Sequence, residues 1–216
     1  MQGRRRPEGG QMQRKREVAL SKSLSFFLRH GAAKHGLPMQ EDGWIAVDHL
    51  LPLPQLKREN LTVEEVKYIV ANNDKQRFAL KEEDGVLYIR ANQGHTMKDI
   101  KVDMTPITLD NHTNYPTVVH GTYRAAWASI KATGLSRMQR NHIHFAKGIL
   151  GSENVISGMR ATCDVLIYID LEQALKDGIE FHESANGVIL TGGVDGTLAP
   201  KYFKKVTDRN GAAIPL

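Results

Sequence analysis

The apolar residues of this chain change their period partway along, and that change limits what it can fold into. Leu20, Leu24, Phe27 and Leu28 recur at helical spacing. Val63, Val66, Ile69 and Val70 do so again behind Thr62, with Glu65 three places on to complete a capping box. Between these helices, "DGWIAVDHLL" reads as a glycine turn, a short strand and a short helix. From Phe78 the spacing shortens to alternation. Phe78 and Leu80, a turn at Asp84-Gly85 and a return from Val86 to Ile89 predict a hairpin. After residue 117 come short apolar runs of strand length: "TVVHGT", "RNHIHFA", "CDVLIYID", "IEFHES" and "GVILTGG". Two helices interrupt them. "YRAAWASIKATG" carries Ala126, Trp127 and Ile130 on one face with Gly134 as its cap, and "LEQALKDG" ends at Gly178.

This pattern predicts an α+β protein. Three helical elements followed by a hairpin are the pattern of a winged-helix lobe, and several strands with few helices make a mixed, mainly β second lobe. The expected division is a disordered basic tail (1–16), a first lobe (17–97), a linker holding Pro106, Pro116 and "LDNHTN" (98–116), a second lobe (117–207) and a short tail (208–216). No apolar run is long enough to span a membrane. The start, "MQGRRRPEGGQMQRKRE", has charge without an apolar core, so it is no secretory signal. Cys163 is the single cysteine, which excludes an internal disulfide and fits a reducing, intracellular compartment, nuclear or cytoplasmic. The net charge of +5 suits a polyanionic partner such as RNA or DNA. A compact monomer is the default.

Several residues stand out chemically. Arg29 and His30 follow directly on "FFL", with Gly31 behind them. Cations suit the last turn of a helix and glycine its cap, but an adjacent guanidinium and imidazole also make an anion site. Arg90 ends the hairpin and leads into "ANQGHT", which is either a plain polar turn or a grip on a phosphate or sugar. His120, His142 and His144 allow a zinc site in principle, yet no acidic or cysteine ligand accompanies them. No nucleophile elbow, P-loop or GxGxxG pattern occurs.

"LSKSLSFFLRHG", "DGWIAVDHLL", "KQRFAL", "YIRANQGHT", "VVHGT", "RNHIHFA", "ISGMR" and "SANGVILT" occur in this order from about Leu20 to about Phe203. Together they resemble the tRNA 2′-phosphotransferase family, in particular its eukaryotic branch. The resemblance implies a winged-helix lobe followed by an ADP-ribosyltransferase-like lobe, with NAD⁺ as co-substrate and no metal. It implies transfer of the internal 2′-phosphate of spliced, ligated tRNA to NAD⁺ through an RNA 2′-phospho-ADP-ribose intermediate. The products would be 2′-hydroxyl RNA, ADP-ribose 1″,2″-cyclic phosphate and nicotinamide. By the same resemblance Arg29, His30, Arg90 and Arg160 are the catalytic residues. His120, Gly121, Thr122, His144 and Val188 would hold NAD⁺, with Gly121 admitting a close backbone approach. Gln93, His95 and Thr96 would position RNA or phosphate, with Lys75 and Arg77 adding backbone contacts. Where many ADP-ribosyltransferases carry a catalytic Glu, Val188 or a neighbour stands. A phosphate dianion is already a nucleophile, and a carboxylate beside it would repel it. Capping of terminal nucleic-acid phosphates with ADP-ribose is the alternative activity.

Overall fold

The computed structural model describes residues 8–98, 100–149, 158–160 and 162–216. They form two compact units, one of residues 8–91 with 100–101, the other of residues 92–98 with 102–216. The architecture is mixed α and β, in agreement with the α+β expectation.

In the first unit α1 (Glu8–Phe26) runs into a π-helical turn, Phe27–Gly31, and then a 3₁₀ turn, Ala33–His35. Leu20, Leu24, Phe27 and Leu28 are buried, so the predicted apolar stripe is the core face. Strand β1 (Ile45–Ala46) leads to α2 (Val47–Leu50), α3 (Pro54–Arg58) and α4 (Val63–Ala71). The capping box forms as expected. Thr62 Oγ1 accepts from the Glu65 amide at 3.2 Å, and Glu65 Oε2 accepts from the Thr62 amide at 3.1 Å. Strands β2 (Phe78–Glu83) and β3 (Val86–Ala91) make the predicted hairpin, and β1 pairs with β3 on its other edge. Asp84 and Gly85 take φ of 51° and 74°, the two left-handed positions a tight hairpin turn needs.

In the second unit a seven-stranded sheet has the order β12-β8-β5-β7-β10-β9-β4, antiparallel at every pairing. Its strands are β4 (Met104–Ile107), β5 (Val119–Thr122), β7 (Ile143–Ala146), β8 (Val165–Ile169), β9 (Phe181–Ser184), β10 (Val188–Thr191) and β12 (Phe203–Asp208). A separate pair joins β6 (Leu135–Ser136) to β11 (Thr197–Leu198). Helices α5 (Arg124–Thr133) and α6 (Leu171–Lys176) are the two predicted ones. Trp127 and Ile130 of α5 pack on a core centred on Phe145, Ile167, Phe181 and Ile189.

Five expectations need correction. Residues 8–16 are helical rather than a loose tail, because Arg16 bonds Glu65 at 3.0 Å and also reaches Glu59; residues 1–7 lie outside the described residues. The helical path does not stop at Gly31. It continues to Gly36, whose φ of 62° supplies the left-handed cap. The expected linker contains β4, with Pro106 tolerated because β4 is an edge strand. The last residues are tied back, since Asp208 accepts from the Asn210 and Ala212 amides and Ile214 bonds Val206 at 2.9 Å. The boundary between units also falls earlier than expected, placing the polar loop 92–98 with the second unit. Among the described residues no helix is long and apolar enough to cross a membrane.

Thr62→Ala removes the oxygen that accepts from Glu65. Stability should fall by about 1 kcal/mol, read as a lower urea midpoint, while Thr62→Ser keeps it.

Candidate active site

The first unit brings three of the singled-out residues onto adjoining elements. Arg29, half-buried, and exposed His30 sit in the π-helical turn, which widens the helix just where its buried stripe ends. Gly31 leaves room for the Phe26 ring there, since a Cβ would come 2.9 Å from it and push it aside. Strand β3 packs against this turn and carries Arg90 as its penultimate residue. The β1–β3 ladder pairs Ile45 with Ile89, so Trp44 and Arg90 stand one step beyond it as cross-strand neighbours. The Arg90 guanidinium lies 4.6 Å from the Trp44 ring centroid and donates to the Asp42 carbonyl at 3.4 Å. Stacking uses the flat face of a guanidinium, and its hydrogen bonds run from the edge. Lys81 lies 5.2 Å from the same indole. Trp44 escaped the sequence reading as a site residue, although its register opposite Arg90 was the available signal.

Lys75 and Arg77 stand together at the start of the hairpin. Burial lowers both affinities for a proton, and Arg77 lowers that of Lys75 further. Arg77 donates to Asn73 Oδ1 at 3.4 Å.

In the second unit the loop 92–98 is seated by hydrogen bonds. Asn92, Gln93 and His95 are buried and Thr96 is half-buried. The Asn141 amide donates to the His95 carbonyl at 3.0 Å and its side chain to the Met97 carbonyl at 2.9 Å. His144 Nε2–H donates to Gln93 Oε1 at 2.8 Å. His120 Nδ1–H donates to the His144 carbonyl at 2.9 Å. These bonds choose the tautomers and leave His120 Nε2 as an acceptor. Burial pushes the His120 imidazole below its usual range, with the bond to His144 opposing, so the ring is neutral at pH 7. His142 is also pushed down, by burial first and then by His182 and Arg137. Its neighbours therefore differ from those of His120, and among the described residues no group of three His, Cys, Asp or Glu is arranged to hold a metal.

Arg160 is exposed on a segment seated on the sheet by two glycines. A Cβ on Gly158, at φ 109°, would lie 2.6 Å from the Ala146 backbone. A Cβ on Gly121 would lie 2.7 Å from Cys163 Sγ. Cys163 and Met159 fill the space on the Cβ side of Gly121. Tyr123 reaches this segment, its hydroxyl 2.8 Å from Thr162 Oγ1, and bonds to Thr162 and then Arg160 lower its pKa. Thr122 is buried, and its carbonyl accepts from the Asp164 amide at 3.0 Å. Val188 is fully buried, with Ser184 Oγ 3.1 Å from both its amide and its carbonyl, so it is a packing position. Part of "ISGMR", Ile156 and Ser157, lies outside the described residues.

The model of the family described as "RNA 2'-phosphotransferase, Tpt1 / KptA family" matches residues 15–193. A Schizosaccharomyces pombe relative is 50% identical over 197 residues, 91% of this chain, and the chain spans about half (53%) of that relative's length. The Danio rerio tRNA 2'-phosphotransferase 1 is 48% identical over 205 residues, covering 93% of this chain and 90% of the relative. The Homo sapiens tRNA 2'-phosphotransferase 1 is 46% identical over 217 residues, 99% of this chain and 84% of the relative.

The lowered His120 pKa has a signed consequence. Below its ordinary value of 6.5 the unfolded chain binds a proton that the folded ring resists. Its contribution to stability is complete above that pH and is lost as the pH falls through the interval beneath it. Urea midpoints taken from neutral to acid pH should decline, and His120→Asn, which keeps a donor for the His144 carbonyl but does not titrate, should make the decline shallower.

Proposed function

The chain belongs to the RNA 2'-phosphotransferase, Tpt1 / KptA family, and from that premise we propose that it transfers an internal RNA 2′-phosphate to NAD⁺. The first unit is then read as a winged helix and the second as an ADP-ribosyltransferase-like lobe. The observation that carries the reading is Arg90 stacked on Trp44 at the end of β3, packed against the turn bearing Arg29 and His30. Guanidinium donors held in advance suit a phosphate dianion whose charge grows during transfer. Arg160, on its glycine-seated segment of the second unit, is proposed as a further catalytic arginine from the family resemblance.

The donor chemistry of the second unit fits NAD⁺ as co-substrate. A neutral His120 with Nε2 left as acceptor suits a ribose hydroxyl, and the His144–Gln93 bond holds a second polar edge beside it. NAD⁺ supplies the electrophile: the 2′-phosphate displaces nicotinamide from the ribose carbon, and the neighbouring ribose hydroxyl then displaces the RNA. The arginines bind the phosphoryl oxygens throughout. His30, which is exposed, gives a proton to the departing RNA 2′-oxygen. tRNA is the substrate class that the names of the relatives support.

The test is a single-turnover assay on a short RNA with one internal 2′-phosphate, with and without NAD⁺, chelator present. The expected products are 2′-hydroxyl RNA, nicotinamide and a cyclic phosphate of ADP-ribose, in equal amounts. Arg29→Ala, Arg90→Ala and Arg160→Ala should each slow the reaction by about 10²–10³. His30→Asn should flatten the pH–rate profile of the second step; an unchanged profile removes His30 from proton transfer. Phosphate loss without NAD⁺ would overturn the mechanism, and a reaction that halts with ADP-ribose on a terminal phosphate would favour capping.

A further inference from the structure

The first unit holds a cavity of about 810 Å³ between α1 and the connection from α4 to β2. Arg14 and Lys22 of α1 face Lys75 and Arg77 across it, against the acids Glu17 and Asp74. The cationic balance suits a polyanion, and Lys75, its proton affinity lowered by burial first and then by Arg77, gains from an anion beside it.

The walls are also unusual in what they leave exposed. Among the described residues of the first unit the exposed large hydrophobics are Val18, Phe26 and Tyr68, at 49%, 43% and 47%, and all three line this cavity. Scattered surface apolar residues need no explanation, but three gathered in one basic cavity do. Phe26 is positioned by the missing Cβ of Gly31, and its ring centroid lies 6.4 Å from that of His30, which also lines the cavity. Asn72 and Asn73 add amide donors and acceptors. Cations that track a backbone, with aromatic faces at intervals and polar amides between, are what unpaired nucleotides need. A duplex hides its base faces and would leave Phe26 and Tyr68 unused.

We propose that this cavity is a track for single-stranded RNA, in which nucleotides flanking the 2′-phosphate stack on Phe26 and Tyr68 while Arg14, Lys22, Lys75 and Arg77 hold their phosphates. The proposal rests on the RNA reading above for its substrate. It adds where the flanking strand lies and that it must be unpaired. His30 joins the track to the proposed phosphate site, so the strand enters along α1.

The experiment measures binding alone, by fluorescence anisotropy, with a labelled single-stranded oligonucleotide that carries no 2′-phosphate and with no NAD⁺ present. Tyr68→Ala should weaken binding about tenfold, within the range of one lost base stack. Tyr68→Phe, which keeps the ring, should bind as the parent does. Lys22→Ala should reduce the salt dependence by about 0.7 in log–log slope, one phosphate contact on a single strand. Both positions are exposed, so the variants should keep the parent's circular dichroism. Parent-like binding by Tyr68→Ala and Lys22→Ala, or equal affinity for a duplex of the same sequence, would overturn the track. The two readings fail separately. A chain that removes no 2′-phosphate but loses affinity in these variants supports the track, and a fully active chain with unaltered affinities overturns the track alone.

Discussion

Taking Asn92, Gln93 and His95 out of water costs about 1–3 kcal/mol for each polar group left unbonded. The second unit is arranged around that constraint. Gln93 accepts from His144, and Asn141 closes on the carbonyls of His95 and Met97. Each bond does more than satisfy the loop. The first places the proton on one nitrogen of His144. The carbonyl of His144 then takes the Nδ1 proton of His120 and settles that ring as well. The loop and the two imidazoles are one network, and such networks are stiffest when every member is bonded.

The first unit treats polar groups in the opposite way. Its cations rest on aromatic faces: Arg90 and Lys81 on Trp44, with Lys81 also 5.3 Å from Tyr88 and paired with Glu83 at 2.8 Å. An aromatic face attracts a cation without adding a counter-charge of its own. Charged groups in one unit and neutral rings in the other match the two kinds of ligand chemistry, phosphate and ribose, that the proposed reaction brings together.

Much of this was legible wherever the determinant was local. A capping box is complete within four residues, and an Asp-Gly turn carries its own backbone geometry, so α4 and the β2–β3 hairpin follow from the sequence. The apolar stripe of α1 and the strand runs of the sheet are equally local. What escaped depends on partners far along the chain. Residues 8–16 read as a loose basic tail until Arg16 is seen beside Glu59 and Glu65. Pro106 reads as a linker residue until the strand carrying it is found at an edge, with His182 opposite. Gly31 reads as a cap, but its missing Cβ serves the Phe26 ring, and the cap is Gly36. In the candidate site the arginines and histidines could be singled out by type and motif. The pairing of Gln93 with His144, 51 positions apart, could not.

The seating of the Arg160 segment leaves the chain's single thiol in a particular position. Cys163 is buried beneath Gly121, its sulfur 4.0 Å from Met159 Sδ, and burial raises its pKa. As long as the segment is closed there is neither room for an alkylating reagent nor much thiolate to react with it. The rate at which such a reagent labels the protein therefore reads how often the packing of Cys163 against Gly121 and Met159 is lost. No probe need be introduced, because there is no second thiol to confuse the reading.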